Sequence, residues 1–208
     1  MEKDKNEISK QKILKTATRL FGQKSFDGVS VREICKEANV NVSMISYYFG
    51  GKQELYNAIL TNLVEKQTEF ALSIVDIYGD PFKLSREVQI EVLHKLVNRF
   101  IDFFYSNVTG DIILFLVKAQ QRPDFKMTTP AFEFLKKLLA AILHLEENSK
   151  ELVFKTLTII SFINSPKIMQ GLSLRQLGQE DFTQEDIKII RSNLKNYLKM
   201  LIEESDND

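Results

Sequence analysis

Two groups of side chains between residues 30 and 52 have the chemistry of nucleic-acid recognition. Hydroxyl groups can hydrogen-bond to base edges, and apolar side chains can pack against the methyl group of thymine. Side chains of these kinds are Val42, Ser43, Met44, Ser46 and Tyr47. Cations and hydroxyls can also hold phosphates, and the candidates for that role are Ser30, Arg32, Tyr48 and Lys52. The alternatives are that the two tyrosines pack at a helix end and that Lys52 is a solvated surface residue.

These side chains lie in a segment whose spacing predicts two short helices joined by a tight turn. Ser30 and Glu33 form a capping-box pattern, so the first helix is expected over residues 31–38. A three-residue turn then breaks the helix, a second helix is expected over residues 42–49, and two consecutive glycines end it. In such a helix-turn-helix the second helix enters the major groove while the first braces it.

The crossing of the two helices needs small and apolar side chains. Those expected to form its shared core are Ile34, Ala38, Val40, Ile45 and Phe49. The residue after Ala38 must adopt a left-handed backbone conformation, which glycine often supplies. Asn39 occupies this position, and asparagine is among the few other residues that tolerate the conformation. The sequence therefore predicts a left-handed turn at Asn39.

Residues 29–55 are similar to the DNA-binding signature of the TetR/AcrR family of repressors, and the resemblance covers about residues 8–60. The matching residues are Phe21, Gly28, Ile34, Ala38, Val40, Tyr48, Phe49, Lys52 and Leu55. The resemblance implies that base readout and phosphate contacts fall on the two groups of side chains given above. The chain departs from the common signature at Asn39, where glycine is frequent, and at Ser46, where tyrosine is frequent.

Helical periodicity continues through the rest of the chain. The N-terminal helix of the chain is expected over residues 8–22, before the helix-turn-helix. Gly28 in the turn that follows it is free to adopt a positive φ. The later helices are expected over residues 52 to beyond 70, 87–105, 111–121, 130–145, 151–171 and 185–204. Strand-like alternation bounded by hairpin turns is not seen. The sequence thus predicts an all-α fold of about nine helices, with an N-terminal three-helix helix-turn-helix domain before a larger helical regulatory and dimerisation domain.

The expected division places the DNA-binding domain at residues 1–55 and a ligand-binding and dimerisation domain at residues 56–208. Residues 1–55 carry 10 Lys and Arg against 7 Asp and Glu, whereas the remainder carries 18 against 21. The positive end of the chain therefore coincides with the expected contact to DNA, because phosphates attract cations.

The resemblance implies that the larger domain forms a homodimer, and a two-fold protein matches a symmetric operator. Apolar stripes on the last two predicted helices agree with a four-helix interface between subunits. The expected interface residues are Ile160, Ile163, Ile190, Leu194, Tyr197 and Leu201. The alternative is that both stripes face the core of their own subunit.

A phenylalanine-rich middle segment suggests a pocket for a small apolar ligand, which the resemblance also implies. The candidate lining residues are Phe100, Phe103, Phe104 and Phe115. The alternative is that these rings are ordinary core residues, since aromatic side chains at helical spacing usually pack inside.

The composition speaks against an enzyme, a cofactor and a metal site. The chain has two histidines and one cysteine, and it lacks a glycine-rich phosphate loop and a nucleophile elbow. Cys35 is expected to be a small buried residue, because a redox role would need an exposed thiolate. The polar N-terminus does not resemble a signal peptide, and no apolar run reaches the length of a membrane span. A cytoplasmic location without membrane contact is therefore expected.

Taken together, the residues predict a transcriptional regulator that binds double-stranded DNA. It is expected to be a repressor that a small apolar ligand releases from a palindromic operator. The alternative is a DNA-bound scaffold or interaction protein of the same fold without small-molecule control.

Overall fold

Every regular element in the described part of the chain is helical. The computed structural model describes residues 2–125 and 129–206, with the backbone alone for residues 2–5, 67 and 70–77. The α-helices are α1 (Glu2–Lys24), α2 (Val31–Ala38), α3 (Ser43–Phe49), α4 (Lys52–Tyr78), α5 (Arg86–Asn107), α6 (Gly110–Gln120), α7 (Pro130–Leu143), α8 (Lys150–Ile168), α9 (Gln170–Leu177) and α10 (Gln184–Ser205). A short 3-10 helix lies at Pro81–Lys83. The prediction of an all-α fold is confirmed.

The ends of α2 are set by local sequence. The Ser30 hydroxyl oxygen accepts a hydrogen bond from the Glu33 amide at 3.1 Å, and α2 begins at Val31 as predicted. The Glu33 carboxylate pairs with Lys24, and this contact, with a smaller contribution from the Ser30 amide, lowers the pKa of Glu33. Asn39 ends the helix with φ 53° and ψ 52°. The predicted left-handed turn is therefore confirmed.

The turn before α2 differs from the prediction. Ser25, with φ 65°, takes the positive φ that was expected of Gly28. Gly28 is instead required for space, because a Cβ atom there would lie 2.4 Å from the carbonyl oxygen of Lys24. Close approach of two backbone segments, and not a left-handed conformation, explains the glycine.

The chain forms two compact units, and α6 belongs to the same unit as the helix-turn-helix. Unit 1 consists of the described residues within Met1–Glu65 and Thr109–Met127. Its core includes Phe115 and Ala119 of α6 together with apolar side chains of α1 to α4. Gly22 of α1 allows the approach of α6, since a Cβ atom there would lie 2.9 Å from the Phe115 amide nitrogen. The predicted division into domains at residues 1–55 and 56–208 stays a prediction.

Unit 2, formed by the described residues within Lys66–Val108 and Thr128–Asp208, has a separate core supplied by α5, α7, α8 and α10. Its largest fully buried side chains include Leu93, Leu96, Ile101, Leu135 and Leu138. α7 begins at Pro130, a residue that suits the first turn of a helix because its missing N–H has no partner there.

The sequence does not predict α9, because the helix expected over residues 151–171 ends early. α8 ends at Ile168, and Met169 leaves the helical conformation with φ −96° and ψ 29°. Pro166 has no amide N–H to donate a helical hydrogen bond, so the last turn of α8 is weakened. α9 then runs to Leu177 and ends at Gly178 with φ 68°. One expected helix is thus two, and the described residues hold ten α-helices where about nine were predicted.

Within the described ranges, no single helix is long and apolar enough to cross a membrane. Only α5 and α6 taken together, as a broken pair, reach that length and composition.

Candidate nucleic-acid interface

The second helix of the helix-turn-helix, α3, has a clear inner and outer face. Ile45 is fully buried and fixes the inner face. Ser43, Ser46 and Tyr47 are exposed on the outer face, and Tyr47 has 73% of its surface exposed. An exposed tyrosine beside two exposed serines offers hydroxyl donors and acceptors that can reach base edges in a groove.

The predicted core of the helix-turn-helix is confirmed. Ile34, Ala38 and Ile45 are buried, and Val40 and Phe49 are half-buried against them. Because Ala38 has only a methyl group, α2 and α3 can approach closely at this point. The core therefore holds α3 in one orientation, with its outer face directed away from the core of unit 1.

Asn41 fixes the start of α3, a role that the sequence analysis missed. Its side-chain oxygen accepts hydrogen bonds from both the amide and the hydroxyl of Ser43, each at 3.0 Å. The signal was present, because asparagine is a preferred residue at helix starts. Since the Ser43 proton is used in this contact, the Ser43 oxygen faces outward as an acceptor.

Two other predicted base-reading residues are placed less favourably. Val42, just before α3, has 46% of its surface exposed, so its methyl groups can meet a thymine methyl. Met44 is half-buried and packs against the core of unit 1. Met44 is therefore partly a packing residue, whereas the sequence analysis expected its side chain to face outward.

Tyr48 links α3 to α1. Its ring is half-buried and lies 5.0 Å from the ring of Tyr47 and 6.4 Å from that of Phe49. Its hydroxyl donates a hydrogen bond to the side-chain oxygen of Asn6 at 3.0 Å. The ring of Tyr48 is therefore partly packed, as the alternative interpretation expected. The contact of its hydroxyl with a phosphate stays a prediction.

Lys52 lies over an aromatic ring at the start of α4. Its Nζ atom is 4.3 Å from the centroid of Phe26, and the guanidinium carbon of Arg122 is 4.4 Å from the same centroid. Arg122 also pairs with Asp124 at 2.8 Å, a contact that lowers the pKa of Asp124. Two cations therefore share one ring, and sequence reasoning missed Arg122 because it lies some 70 residues further along the chain.

The two candidates on the bracing helix are both exposed. Ser30 uses its oxygen to accept from Glu33, so its own O–H is able to donate to a phosphate. Arg32 is exposed on α2. Other cations of unit 1 are engaged internally, since Arg19 pairs with Glu37 and Lys24 with Glu33. The positive charge of α1 is therefore partly neutralised by carboxylates of α2.

The structure separates the four phenylalanines that were expected to line one ligand pocket. Phe100 and Phe103 are buried on α5 in unit 2, and Phe104 is half-buried on the same helix. Phe115 is fully buried in the core of unit 1, with its ring 5.0 Å from that of Tyr56. Phe115 is thus a core residue of the helix-turn-helix unit and does not join the other three.

The six residues expected at a dimer interface also divide. Ile163, Leu194 and Leu201 are buried in the core of unit 2, so they are not available to a partner subunit. Ile160, Ile190 and Tyr197 are half-buried at its edge. Other apolar side chains of α8 and α10 are more exposed than any of these six. They are Val153, Phe154, Leu157, Ile168, Ile189 and Met200.

Cys35 is buried in the helix-turn-helix core, and burial raises the pKa of its thiol. The described residues contain no group of three or more His, Cys, Asp or Glu side chains that could hold a metal ion.

Comparison with known families matches both parts of the chain. Residues 13–59 match the family model of bacterial regulatory proteins of the tetR family. Residues 89–204, more than half of the chain, match the C-terminal domain of the HTH-type transcriptional dual regulator CecR. The two matches together include the helix-turn-helix and most of unit 2.

Curated relatives agree with these matches. YttP, an HTH-type transcriptional regulator of Bacillus subtilis, is 39% identical over 114 residues, which are 51% of this chain and 53% of YttP. AcrR of Shigella flexneri is 32% identical over 46% of this chain and 45% of AcrR. In both cases the alignment spans about half of the relative. CecR of Shigella flexneri is 21% identical over 96% of this chain and 93% of CecR.

Solved structures share the fold. A Clostridium perfringens protein described as a fatty acid metabolism regulator has a TM-score of 0.61 and 19% identity, with 88% of this chain and 96% of that chain covered. HlyIIR, a hemolysin II transcriptional regulator, has a TM-score of 0.51 and 22% identity, with 90% and 97% covered. At such identities the likeness concerns the fold alone.

Proposed function

The chain belongs to the TetR family of bacterial regulatory proteins and is a transcriptional regulator, not an enzyme; from this we propose that it is a repressor that a small apolar ligand releases from a palindromic operator. The observation that carries the DNA-binding part is the outer face of α3. Ser43, Ser46 and Tyr47 are exposed there on a helix held by a buried core. Such a helix fits the major groove.

In the proposed complex the two groups of side chains keep separate roles. Ser43, Ser46 and Tyr47 read bases, with contributions from Val42 and the exposed part of Met44. Phosphates are held by Ser30, Arg32, Tyr48 and Lys52, which flank that face. Operator binding takes place in the cytoplasm.

A homodimer would supply two recognition helices to the two halves of the operator. The exposed apolar side chains of α8 and α10 support this proposal, since such a surface is costly to leave in water. The central candidate is Phe154, which has 68% of its surface exposed. Ile160, Ile190 and Tyr197 would lie at the border of this interface.

Ligand control would act through α4, a helix whose two ends belong to different units. α4 begins at Lys52 in unit 1, and its residues from Lys66 onward belong to unit 2. A ligand held near Phe100, Phe103 and Phe104 would tilt α4 and change the spacing of about 34 Å that successive major grooves require. The ligand can shift this equilibrium only if it binds the two states unequally.

The DNA-binding proposal is tested by replacing Tyr47 with alanine. The variant should melt at the same temperature as the natural chain, because the side chain is mostly exposed. Its affinity for a promoter fragment that the natural chain occupies should fall by roughly 5- to 150-fold, the range expected for one base contact. Fluorescence anisotropy with labelled DNA measures the affinity.

Phe82→Ala is the matched control, since Phe82 is a half-exposed aromatic residue of unit 2. It should bind DNA like the natural chain. If Tyr47→Ala also bound unchanged, α3 would not be the recognition helix.

Repression is tested by deleting the gene and measuring transcripts beside the sites that the protein occupies. A repressor predicts that these transcripts rise. A fall would indicate an activator, an outcome that the name of the relative CecR, a dual regulator, makes worth measuring. Occupancy scattered along the chromosome, with unchanged transcripts, would favour the scaffold.

A further inference from the structure

A cleft between α5 and α10 in unit 2 has the lining of a small binding site. Its volume is about 210 Å³, and its lining residues are His94, Val97, Asn98, Ile101, Arg191, Ser192, Leu194, Lys195 and Leu198. It is smaller than the pockets that hold drug-sized ligands, which usually exceed about 300 Å³, so an occupant must be small.

The lining of the α5–α10 cleft is divided into apolar and basic parts. Four aliphatic side chains form the apolar part, namely Val97, Ile101, Leu194 and Leu198. The basic groups are His94 on α5 and, one helical turn apart on α10, Arg191 and Lys195. A molecule with one apolar end and one negatively charged end would match both parts.

Arg191 is held in place and its charge is largely compensated. Its guanidinium donates to the Asn98 side-chain oxygen at 2.8 Å and to the Asn98 carbonyl oxygen at 3.3 Å, and it pairs with Asp102. The guanidinium thus forms a fixed wall of the cleft, while Asp102 offsets its positive charge.

Lys195 supplies the uncompensated charge. In the described part of the chain, the ion pairs of α10 use Arg191 and Lys199, and they leave Lys195 without a carboxylate partner. Burial lowers the pKa of His94, and the nearby charge of Lys195 lowers it further. The net charge of the cleft is therefore close to that of one cation, which favours a monoanion over a dianion.

We propose that the α5–α10 cleft binds a small organic carboxylate, with the carboxylate held by Lys195 between His94 and Arg191 and the apolar part against Val97, Ile101 and Leu198. Charge-assisted hydrogen bonds of this kind are stronger than neutral ones. Ile189 and Met200, the exposed apolar residues of α10, lie on a different side of the helix by its periodicity, so a dimer formed there would leave the cleft open. The proposal does not rest on control of DNA binding.

The histidines provide a direct test, because the chain has only two, His94 in the cleft and His144 at the end of α7. Benzoate is titrated into the full-length protein, without DNA, while the imidazole signals are followed by NMR; a His94→Gln variant assigns them. Benzoate should shift the His94 signal to saturation and leave the His144 signal in place. Benzamide, which has the same shape without charge, and inorganic phosphate should bind at least about tenfold more weakly.

Lys195→Gln should weaken benzoate binding by about tenfold or more, the loss expected for one charge-assisted contact. The matched control is Lys199→Gln, one turn further along α10, where the side chain is exposed and pairs with Glu203 at 3.6 Å. It should bind benzoate like the natural chain, and circular dichroism should show both variants folded. Equal binding of benzoate and benzamide, equal shifts at both histidines, or full affinity in Lys195→Gln would each overturn the proposal.

Discussion

At the scale of single residues, the side chains near α3 differ in how far their neighbours within the protein already engage them. Tyr47 is exposed, whereas the hydroxyl of Tyr48 bonds to Asn6 and the ammonium of Lys52 lies over Phe26. In the proposed complex with DNA, these engaged groups are already held in place, which lowers the entropy lost on binding. A residue can therefore serve the fold and the interface together.

Lys52 allows these two roles to be separated. In Lys52→Ala, the plot of log affinity against log salt concentration should become shallower by about 1 per subunit, because one phosphate contact is lost. The free energy of unfolding should also fall by about 0.5–1 kcal/mol, since the contact with Phe26 is lost. Anisotropy across a salt series and urea unfolding measure the two effects.

Lys199→Ala removes a lysine of α10 that lies in unit 2 and should change neither quantity by a comparable amount. An unchanged salt dependence in Lys52→Ala would remove Lys52 from the phosphate-contacting group.

At the scale of helices, the packing of α6 against α1 is the feature that completes unit 1. The ring of Phe115 packs beside those of Phe21 and Tyr56, at centroid distances of 6.5 Å and 5.0 Å. Gly22 lets the α6 backbone approach at this level. A helix encoded more than 80 residues after α1 is thereby part of the unit that holds α3.

Gly22→Ala tests this packing. The added Cβ atom would lie 2.9 Å from the Phe115 amide nitrogen and 3.0 Å from the Leu114 Cβ atom, so α6 must shift. The free energy of unfolding should fall by about 1–3 kcal/mol, the usual cost of overpacking, as measured by urea denaturation.

Gly171→Ala is the control, because Gly171 lies in a helix and a Cβ atom there would meet nothing within 4 Å. Its stability should stay the same or rise by up to about 1 kcal/mol, since alanine favours helices. Equal and small effects of both substitutions would show that α1 and α6 are not tightly packed.

At the scale of the whole molecule, the proposed dimer depends on apolar surface that unit 2 leaves exposed. Burying apolar surface contributes about 25 cal/mol per Å², so a phenylalanine such as Phe154 would add strongly to association. Phe154→Glu should convert the dimer to a monomer without unfolding it, because a carboxylate is easily solvated in the monomer and costly to bury in the interface.

Analytical ultracentrifugation at several concentrations measures the assembly, with circular dichroism to check the fold. Phe82→Glu places the same charge at another exposed phenylalanine and should leave the dimer intact. A dimer that persists in Phe154→Glu would place the interface elsewhere.

The sequence by itself determined the features that depend on neighbouring residues. Ser30 capping α2 and Asn39 ending it involve hydrogen bonds and backbone angles within a few positions, so their residue types predict them. The all-helical character follows in the same way from periodicity and the scarcity of glycine and proline. The similarity to TetR-type regulators also rests on this local segment.

Only the tertiary structure decided which elements pack together. Periodicity identifies an apolar stripe on a helix but not the surface that covers it. For this reason Phe115 was expected in a ligand pocket and lies in unit 1, and Leu194 and Leu201 were expected at a dimer interface and lie in the core of unit 2. The α5–α10 cleft is of the same kind, because it joins side chains about 100 residues apart that become neighbours only when unit 2 folds.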